Sequence, residues 1–260
     1  MNDNIVDQRP LRVLITSDVH YTHEKKWYGV TCDERMQLWV DTIKAEHKKH
    51  PFDLILFAGD TSLDHYLMKG SYTARGISET REFMEKYVSQ LPKDVPMLIG
   101  PGNHELYNDE QWEAYTGNGR QASSAVGNDL FILVDTFRTA LEPHFDGNLA
   151  KYTPVDVSYV EAQMAAYPNH RVWLISHYFD VTRESEEFRR LIRENDRIIG
   201  LFAGHAHQCS VIYMGEDYGN KTVAQTGNFS YSYFTAFPTG DINDVYRSFW
   251  GFRELTITSD

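Results

Sequence analysis

The sequence Gly100-Pro101-Gly102-Asn103-His104-Glu105 places an amide, an imidazole and a carboxylate directly after a glycine-rich turn. An apolar run precedes it, Val95-Pro96-Met97-Leu98-Ile99, and predicts a short buried strand. Open α/β sheets usually bind their ligands at the carboxyl ends of strands, where these three side chains would lie. One such tripeptide is equally typical of an ordinary loop. Four other apolar runs of the chain end in the same kinds of side chain, however, and this repetition indicates a shared site.

Apolar runs and amphipathic segments alternate in the first half of the chain. Three runs predict buried strands, over residues 11–16, 54–58 and 95–99. The two segments between them have apolar residues at helical spacing. Thr31 and Glu34 form a capping-box pattern at the start of the first helix, which we expect to end near His50, and Ser78 is a candidate cap for the second. Strand, helix, strand, helix, strand is the order of a parallel sheet with right-handed crossovers.

The second half of the chain predicts a second group of strands. Gly127-Asn128-Asp129 is a turn signal between the apolar runs 123–126 and 130–134, so we expect a hairpin. Further strands are expected over residues 171–175, 198–203, 211–214, 221–226 and 249–257. Helices are expected over residues 156–167 and 185–195, and none beyond residue 210. Polar loops are expected over 61–77, as an active-site loop, and over 137–154.

Composition restricts the compartment and the partners. The 260-residue chain has a formal net charge of −12, which disfavours non-specific binding to nucleic acid or to an anionic membrane. Carboxylates gathered around cations would account for part of this charge, so a small phosphorylated substrate remains compatible with it. The polar N-terminus lacks a signal-peptide core, and no apolar run approaches the roughly 18 residues of a membrane span, which predicts a cytoplasmic protein. Cys32 and Cys209 are too few for a disulfide framework, and nothing in the sequence predicts the oligomeric state.

Carboxylate, imidazole and amide side chains stand at the ends of five predicted strands. This mixture, without cysteine, suits manganese, zinc or iron. Residues two apart in an extended backbone point to the same side, so an Asp-x-His or His-x-His pair can converge on one edge. A single histidine is more often structural than a ligand, but a set of this size predicts a metal site. The side chains of the set are Asp18, His20, Asp60, Asn103, His104, His177, His205 and His207.

The order of these residues resembles that of the calcineurin-like metallophosphoesterase superfamily. Five blocks carry the resemblance: Asp18-Val19-His20, Gly59-Asp60, Gly102-Asn103-His104-Glu105, His177 and Gly204-His205-Ala206-His207. The resemblance implies an α/β fold in which a β-sandwich is flanked by helices, in α/β/β/α layers, with a dinuclear metal site at one sheet edge. It also implies a single metallophosphoesterase domain over residues 1–260.

The resemblance also implies a role for each site residue. The implied ligands are Asp18, His20 and His207 for the first metal ion, and Asn103, His177 and His205 for the second. Asp60 would bridge the two ions with its two oxygens. His104 would not be a ligand, but would contact the phosphate and protonate the leaving oxygen. The implied cofactors are two divalent or trivalent ions, of manganese, iron or zinc.

The implied reaction is hydrolysis of a phosphodiester or a small phosphomonoester. Two metal ions roughly 3.5–4 Å apart stabilise the attacking and leaving oxygens of an in-line displacement and lower the pKa of a bridging water. The resulting hydroxide can attack phosphorus without a protein nucleophile, and a histidine beside the ions suits protonation of the leaving alkoxide. Glu105 fits an acceptor that orients a histidine or the turn, with a surface carboxylate as the alternative.

Two departures from related families narrow the substrate class. Leu63 stands where purple acid phosphatases carry a ligating tyrosine, so tyrosinate–iron chemistry is not expected. Asp64-His65-Tyr66 stands where protein serine/threonine phosphatases carry Asp-Arg-Gly, so their substrate-binding arginine has no counterpart here. The phosphodiesterases and small-phosphomonoester hydrolases remain.

Some features near the predicted site leave alternatives open. His23, His65 and Tyr66 are candidates for substrate contact or for exposed loop residues. The aromatic segment 229–237 could form a stacking surface for a nucleobase or a strand that buries one aromatic face.

Two rival functions share the predicted fold. A nuclease acting on DNA or RNA is disfavoured by the lack of a Lys/Arg-rich stripe. A non-catalytic interaction scaffold would be expected to lose ligands or the histidine at position 104, and every one of these positions is kept.

Overall fold

Ten strands form two β-sheets at the centre of the computed structural model, which describes residues 9–23, 25–65, 78–138, 151–231 and 250–258. In chain order the strands are β1 (Leu11–Thr16), β2 (Leu54–Ala58), β3 (Met97–Gly100), β4 (Ala122–Val126), β5 (Asp129–Leu133), β6 (Arg171–Ser176), β7 (Ile198–Ala203), β8 (Val211–Tyr213), β9 (Thr222–Gln225) and β10 (Arg253–Ile257). The first sheet has the order β10-β1-β2-β3, and the second has the order β4-β5-β6-β7-β9-β8.

Parallel pairing dominates both sheets. Strands β1, β2 and β3 are parallel, as predicted, and β10 is antiparallel to β1 at the sheet edge. In the second sheet β5, β6, β7 and β9 are parallel, and the edge strands β4 and β8 are antiparallel to their neighbours. The predicted hairpin is formed by β4 and β5, and Gly127 in its turn has a φ of +57°. Because most strands of each sheet run the same way, each sheet collects several carboxyl ends at one edge.

Within the described residues, five α-helices cover the sheets. They are α1 (Cys32–Lys49), α2 (Glu79–Lys86), α3 (Asp109–Thr116), α4 (Val157–Ala166) and α5 (Glu186–Glu194). The capping box at Thr31 and Glu34 is present, and the Ser78 side chain accepts from Arg81 N–H at the start of α2, as predicted. Two short 3-10 turns, Val88–Gln90 and Glu216–Tyr218, complete the helical structure of the described residues.

Helix α3 was not predicted from the sequence. Trp112 is its one buried residue, so it has no apolar face whose spacing could be recognised. The signal that could have found it is the capping box of Asn108 and Gln111, followed by Gly117 at the left-handed C-cap.

Three apolar clusters show the order of the layers. The cluster between the sheets contains Val13 and Ile15 from β1 with Leu133 and Phe202 from β5 and β7. Alternate residues of the first sheet pack outward against α1 and α2, and those of the second pack outward against α4 and α5; examples are Leu14 with Trp39 and Phe83, and Leu174 with Val160 and Phe188. The predicted α/β/β/α arrangement is therefore confirmed.

Parts of three expected features lie outside the described residues. These are residues 66–77 of the loop expected over 61–77, residues 139–150 of the loop expected over 137–154, and residues 232–237 of the aromatic segment. Within the described ranges, no helix combines the length and the hydropathy that a membrane crossing needs.

Candidate dinuclear metal centre

The eight predicted site residues meet at one edge of the two sheets, in the loops that follow β1, β2, β3, β6 and β7. Hydrogen bonds from main-chain N–H groups join these loops: Asp18 N–H donates to the main-chain Gly59 O over 3.1 Å, and His205 N–H donates to the side-chain Asp18 Oδ2 over 2.9 Å. Seven of the eight side chains belong to residues that are at most 8% exposed, and His205 is half-buried. Residues separated by up to 189 positions therefore share one buried site.

Asp18, His20 and His207 form one group of donor atoms, named here the His207 cluster. His207 Nε2 lies 3.3 Å from Asp18 Oδ1 and 3.1 Å from His20 Nε2. His20 Nε2 lies 3.8 Å from the same Asp18 oxygen. The three donor atoms therefore face one another closely enough to surround a single cation.

Asn103, His177 and His205 form a second group, the His205 cluster. His177 Nε2 and His205 Nδ1 lie 2.9 and 3.0 Å from Asn103 Oδ1, and 3.1 Å from each other. This cluster contains no carboxylate of its own, so its negative charge must come from a neighbour.

Asp60 supplies that charge to both clusters. Its Oδ2 lies 3.2 Å from His177 Nε2 in the His205 cluster and 3.6 Å from His20 Nε2 in the His207 cluster. Its Oδ1 accepts a hydrogen bond of 3.1 Å from His104 N–H. We expected the two oxygens to be divided between two ions, whereas in the structure one oxygen, Oδ2, faces both clusters.

His104 lies beside Asp60 and belongs to neither of the two clusters named above, but His20, Asp60 and His104 also have ligand atoms within 4.8 Å of one another. Its Nε2 is 3.6 Å from Asp60 Oδ2, and its ring meets the His20 ring edge-on, with 4.9 Å between the ring centres. Burial lowers the pKa of His104 to about 4. A bound anion would oppose this shift and favour the protonated ring. The position and the burial of His104 therefore fit a residue that meets an anionic ligand.

The backbone of the site is unusual at five of the eight residues. The left-handed region is occupied by Asp18 (φ 51°), His20 (φ 43°), Asp60 (φ 53°), His205 (φ 68°) and His207 (φ 53°). Such conformations cost non-glycine residues about 1–3 kcal/mol each and occur mainly at functional sites. We expected the two residues of each i, i+2 pair to converge through an extended backbone. The extended backbone was wrong, because sharp left-handed turns place these side chains. Both pairs nevertheless converge on one edge, and His205 and His207 lie in different clusters, as the resemblance implies.

Comparison with known proteins agrees with this geometry. A sequence profile described as calcineurin-like phosphoesterase matches residues 11–209, which include all eight site residues. The chain belongs to the calcineurin-like phosphoesterase family. Members of this family are metal-dependent phosphoesterases, so the enzyme class is that of a phosphoric-ester hydrolase.

Three solved structures resemble this calcineurin-like phosphoesterase. A dimetal phosphatase from Danio rerio has a TM-score of 0.60 at 11% identity, over 85% of this chain and 88% of that chain. GAP50, the anchor in the inner membrane complex of Plasmodium, has a TM-score of 0.52 at 12% identity, over 86% and 73%. The calcineurin-like phosphoesterase YfkN from Bacillus subtilis has a TM-score of 0.50 at 14% identity, over 85% and 82%. At such low identities the similarity shows the fold alone, and no curated protein has significant sequence similarity to the chain.

The donor atoms of this phosphoesterase fit two bound cations. His177 Nδ1 lies 2.8 Å from Ala58 O, and His207 Nδ1 contacts Tyr231 O. A carbonyl oxygen can only accept, so each Nδ1 carries the proton and each Nε2 directs a lone pair into its cluster. Asp18 Oδ1 and His20 Nδ1 have no hydrogen-bond partner among the residues that the structure describes. The imidazole lone pairs and the carboxylate oxygen lie within 3–4 Å of one another and repel each other. A cation between them would offset this repulsion.

Glu105 holds the site together without touching a histidine of either cluster. It is fully buried and accepts hydrogen bonds from the N–H groups of Asp60, Ser62 and Gly102 over 3.1, 3.0 and 2.7 Å. Burial, with a smaller contribution from the Asp60 charge, raises the pKa of Glu105 to about 7. Of the two alternatives, a surface carboxylate is wrong, and Glu105 orients the turn rather than a histidine.

Gly102 leaves room for Asp60, and its replacement by alanine is expected to damage the site. A Cβ at this position would lie 2.1 Å from Asp60 Oδ1 and 2.6 Å from Asp60 N. We expect Gly102→Ala to lower Mn²⁺ affinity and turnover by roughly tenfold or more, because it displaces Asp60, whose Oδ2 faces both clusters. Equilibrium dialysis and steady-state kinetics measure the two quantities.

Gly117→Ala is the matched control for this substitution. Gly117 has a φ of +71°, but a Cβ there meets no atom within 4 Å. Alanine should therefore lower the free energy of unfolding by about 1 kcal/mol and leave metal affinity unchanged. Equal metal affinity in the Gly102 and Gly117 variants would contradict the role given to Gly102.

The remaining candidates from the sequence have different surroundings. His65 is buried, and its Nδ1 accepts from Leu106 N–H over 3.1 Å, so it supports the segment after His104 instead of being an exposed loop residue. His23 is exposed, with its Nε2 2.9 Å from Glu82. Tyr66 lies outside the described residues.

Two supporting side chains were missed by sequence reasoning. Asp64 accepts from the N–H groups of Glu79 and Thr80 over 2.8 and 3.0 Å, and so caps α2 from the loop that follows Asp60. Arg120 is buried, donates to Glu105 O over 3.2 Å and pairs with Asp135 over 2.7 Å. No local pattern predicts such contacts, since each joins segments more than ten residues apart.

Proposed function

We propose that the protein is a dinuclear metal-dependent phosphoesterase that hydrolyses a phosphodiester or a small phosphomonoester. The His207 cluster would hold one ion, the His205 cluster the other, and Asp60 would contact both through Oδ2. The observation that carries the proposal is the position of Asp60 Oδ2, 3.2 and 3.6 Å from histidine nitrogens of the two clusters. Manganese, iron and zinc all suit these nitrogen and oxygen donors.

The residues of the site divide the work of such a hydrolysis. When bound, the two ions would polarise the phosphoryl group and activate a water for attack on phosphorus. Asp18 and Asp60 provide two buried negative charges that hold divalent cations in place. His104, outside the clusters, is placed to donate a hydrogen bond to the phosphate and a proton to the leaving oxygen.

The arrangement of positive charge supports metal dependence. Within the described ranges, no lysine or arginine lies within ion-pair distance of Asp18 or Asp60. The negative charge of a phosphate ester would therefore be met by bound cations and histidines. The presence of all seven donors and His104 also supports an enzyme over a scaffold.

Hydrolysis of bis- and mono-p-nitrophenyl phosphate tests the proposal directly. Protein stripped with a chelator should be inactive, and added Mn²⁺ should restore release of nitrophenol from at least one of the two compounds. A labelled oligonucleotide in the same assay distinguishes a nuclease. Failure of Mn²⁺, Fe²⁺ and Zn²⁺ to restore turnover of any of these substrates would refute the proposed function.

Metal binding should also stabilise the fold. A ligand present at 100 times its dissociation constant stabilises the folded state by about 2.7 kcal/mol, which for a chain of this size raises Tm by about 5–10 °C. We expect this increase when Mn²⁺ is added to the stripped protein and its reversal with a chelator, as measured by calorimetry. A double variant, His205→Ala with His207→Ala, is the control and should show no increase. An unchanged Tm in the unsubstituted protein would contradict binding at these clusters.

A further inference from the structure

Arg35 of α1 is a fully buried arginine directly behind the His207 cluster. Its Nη1 donates to Val19 O and to Phe229 O, and its Nη2 donates to His20 O over 3.2 Å. Three carbonyl oxygens from two distant segments therefore share one guanidinium group. The guanidinium is planar and rigid, so it fixes the relative positions of the segments that it joins.

Both of these segments carry or hold residues of the His207 cluster. The first contains Asp18 and His20 themselves. The second begins at Asn228, whose Nδ2 donates to His207 O over 2.8 Å, and reaches Tyr231, whose carbonyl contacts His207 Nδ1. Phe229 N–H donates to Asp18 O over 3.2 Å, so the two segments are also joined directly. Arg35 thus lies where displacement of its side chain would move all three donors of the cluster.

A column formed by the Trp27 and Tyr231 rings connects Arg35 to the imidazoles of the His207 cluster. The Arg35 guanidinium carbon lies 4.6 Å from the centre of the Trp27 ring, a cation–π distance. Trp27 stacks on Tyr231 with 5.3 Å between ring centres and 29° between planes. The Tyr231 ring in turn lies 4.6 Å from the His207 ring and 5.5 Å from the His20 ring. Both imidazoles of the cluster therefore rest against a column that ends on Arg35.

The charge of Arg35 is not used in an ion pair. Among the residues that the structure describes, no carboxylate lies within 4 Å of its nitrogens, whereas the other buried arginine of the site region, Arg120, pairs with Asp135. Burying an unpaired cation is costly, and burial lowers the pKa of Arg35 to about 10. The hydrogen bonds that Nη1 and Nη2 donate to carbonyl oxygens, rather than an ion pair, are what this position uses.

The His205 cluster has no comparable support from Arg35. His177 Nδ1 donates to Ala58 O. Asn103 follows a turn that is stabilised by the hydrogen bond from Gly102 N–H to Glu105. The contacts of Arg35 are thus confined to one half of the site.

We propose that Arg35 is a positioning residue for the His207 cluster, which sets the affinity of this half of the site for its metal ion without affecting the other half. The proposal rests on the assignment of one ion to each cluster. It predicts that the affinities for the two ions can be changed separately. The affinity of the His207 cluster for its ion depends on Arg35, Trp27 and Tyr231, and that of the His205 cluster does not.

Two variants that each keep one cluster make the test specific. His205→Ala leaves the His207 cluster intact, and His207→Ala leaves the His205 cluster intact. Mn²⁺ binding to each is titrated by electron paramagnetic resonance, with and without Arg35→Lys. Lysine keeps the charge, but one ammonium group cannot hold three carbonyls in the arrangement of a guanidinium. We expect about 10- to 100-fold weaker binding in the His205→Ala background, and no change in the His207→Ala background.

Two outcomes of this titration would overturn the proposal. Unchanged Mn²⁺ affinity in the His205→Ala background, or equal loss in both backgrounds, overturns the proposal. Trp27→Leu, a change at a half-buried ring, provides a second test should Arg35→Lys fail to fold. It should weaken Mn²⁺ binding in the His205→Ala background alone, and an unchanged affinity there also overturns the proposal.

The proposed function can fail independently of this inference. Binding of two Mn²⁺ ions without any ester hydrolysis would refute the enzymatic proposal while the dependence on Arg35 could still be measured. Full hydrolysis with no effect of Arg35→Lys on Mn²⁺ binding would refute the inference alone.

Discussion

Replacing Asp60 by asparagine is expected to remove metal from both clusters and to lower turnover by more than about 100-fold. Residues that merely orient a ligand change metal affinity by about 10- to 100-fold, and Asp60 is placed to act as a ligand itself. Its Oδ2 is the carboxylate oxygen that faces histidines of both clusters, over 3.2 and 3.6 Å. Asparagine has nearly the same shape but no charge, so the expected loss reflects the chemistry of the donor. Elemental analysis of the purified variant gives the number of ions per chain.

Asp64→Asn is the matched control for Asp60→Asn. Asp64 is also fully buried, four residues further along the same loop, but its oxygens cap α2 instead of facing the clusters. We expect it to cost about 1–3 kcal/mol of unfolding free energy, as loss of a charged hydrogen-bond acceptor does, and to leave both ions bound. Loss of a single ion from Asp60→Asn, or of both ions from Asp64→Asn, would contradict the bridging position of Asp60.

The sequence predicted the layered fold and the location of the site because both depend on local signals. Buried parallel strands appear as continuous apolar runs, and the capping pattern at Thr31 and Glu34 marks the start of α1. Each chemically active side chain follows such a run, and parallel strands bring their carboxyl ends to one edge. The resemblance to a known family gave the proposed division of the residues between two ions, which spacing alone does not give.

The details that the sequence did not predict depend on distant contacts or on backbone strain. Arg35 contacts Phe229, which is 194 residues away, and no sequence pattern around either residue predicts that contact. The left-handed conformations of His205 and His207, two residues apart, were also not predicted, since the sequence analysis assumed an extended backbone there. Helix α3 buries a single tryptophan and so lacks the periodicity that identifies longer helices.

The acidity of the chain has a second explanation besides metal binding. We expected part of the net charge of −12 to come from carboxylates gathered around cations. Asp18 and Asp60 fit that expectation, but Asp64, Glu105 and Asp135 are buried nearby without facing either cluster. These three accept hydrogen bonds from backbone N–H groups, which satisfies donors at the start of α2 for Asp64 and in loops for Glu105 and Asp135. Carboxylates therefore shape the loops of the site in addition to the cation-binding role proposed for Asp18 and Asp60.

Replacing His104 by alanine is expected to keep both metal ions and to lower turnover by about 10²–10⁴-fold, the usual contribution of a general acid. His104 Nε2 lies 3.6 Å from Asp60 Oδ2, but the ring belongs to neither cluster, so its removal takes away no proposed ligand. The loss should depend on the leaving group. Nitrophenolate is a stable anion that leaves without a proton, whereas an alkoxide needs one. We therefore expect a larger rate loss for an alkyl phosphate ester than for a nitrophenyl ester.

The dependence on the leaving group separates proton donation from a structural role for His104. A variant that only distorted the clusters would lose metal and would slow both esters by the same factor. His104→Asn keeps a hydrogen-bond donor of similar reach but cannot transfer a proton at neutral pH. It should recover part of the phosphate binding, seen as a lower KM than that of His104→Ala, without recovering the rate for the alkyl ester. Metal loss equal to that of Asp60→Asn would make His104 a ligand, and equal slowing of both esters would exclude it as the proton donor.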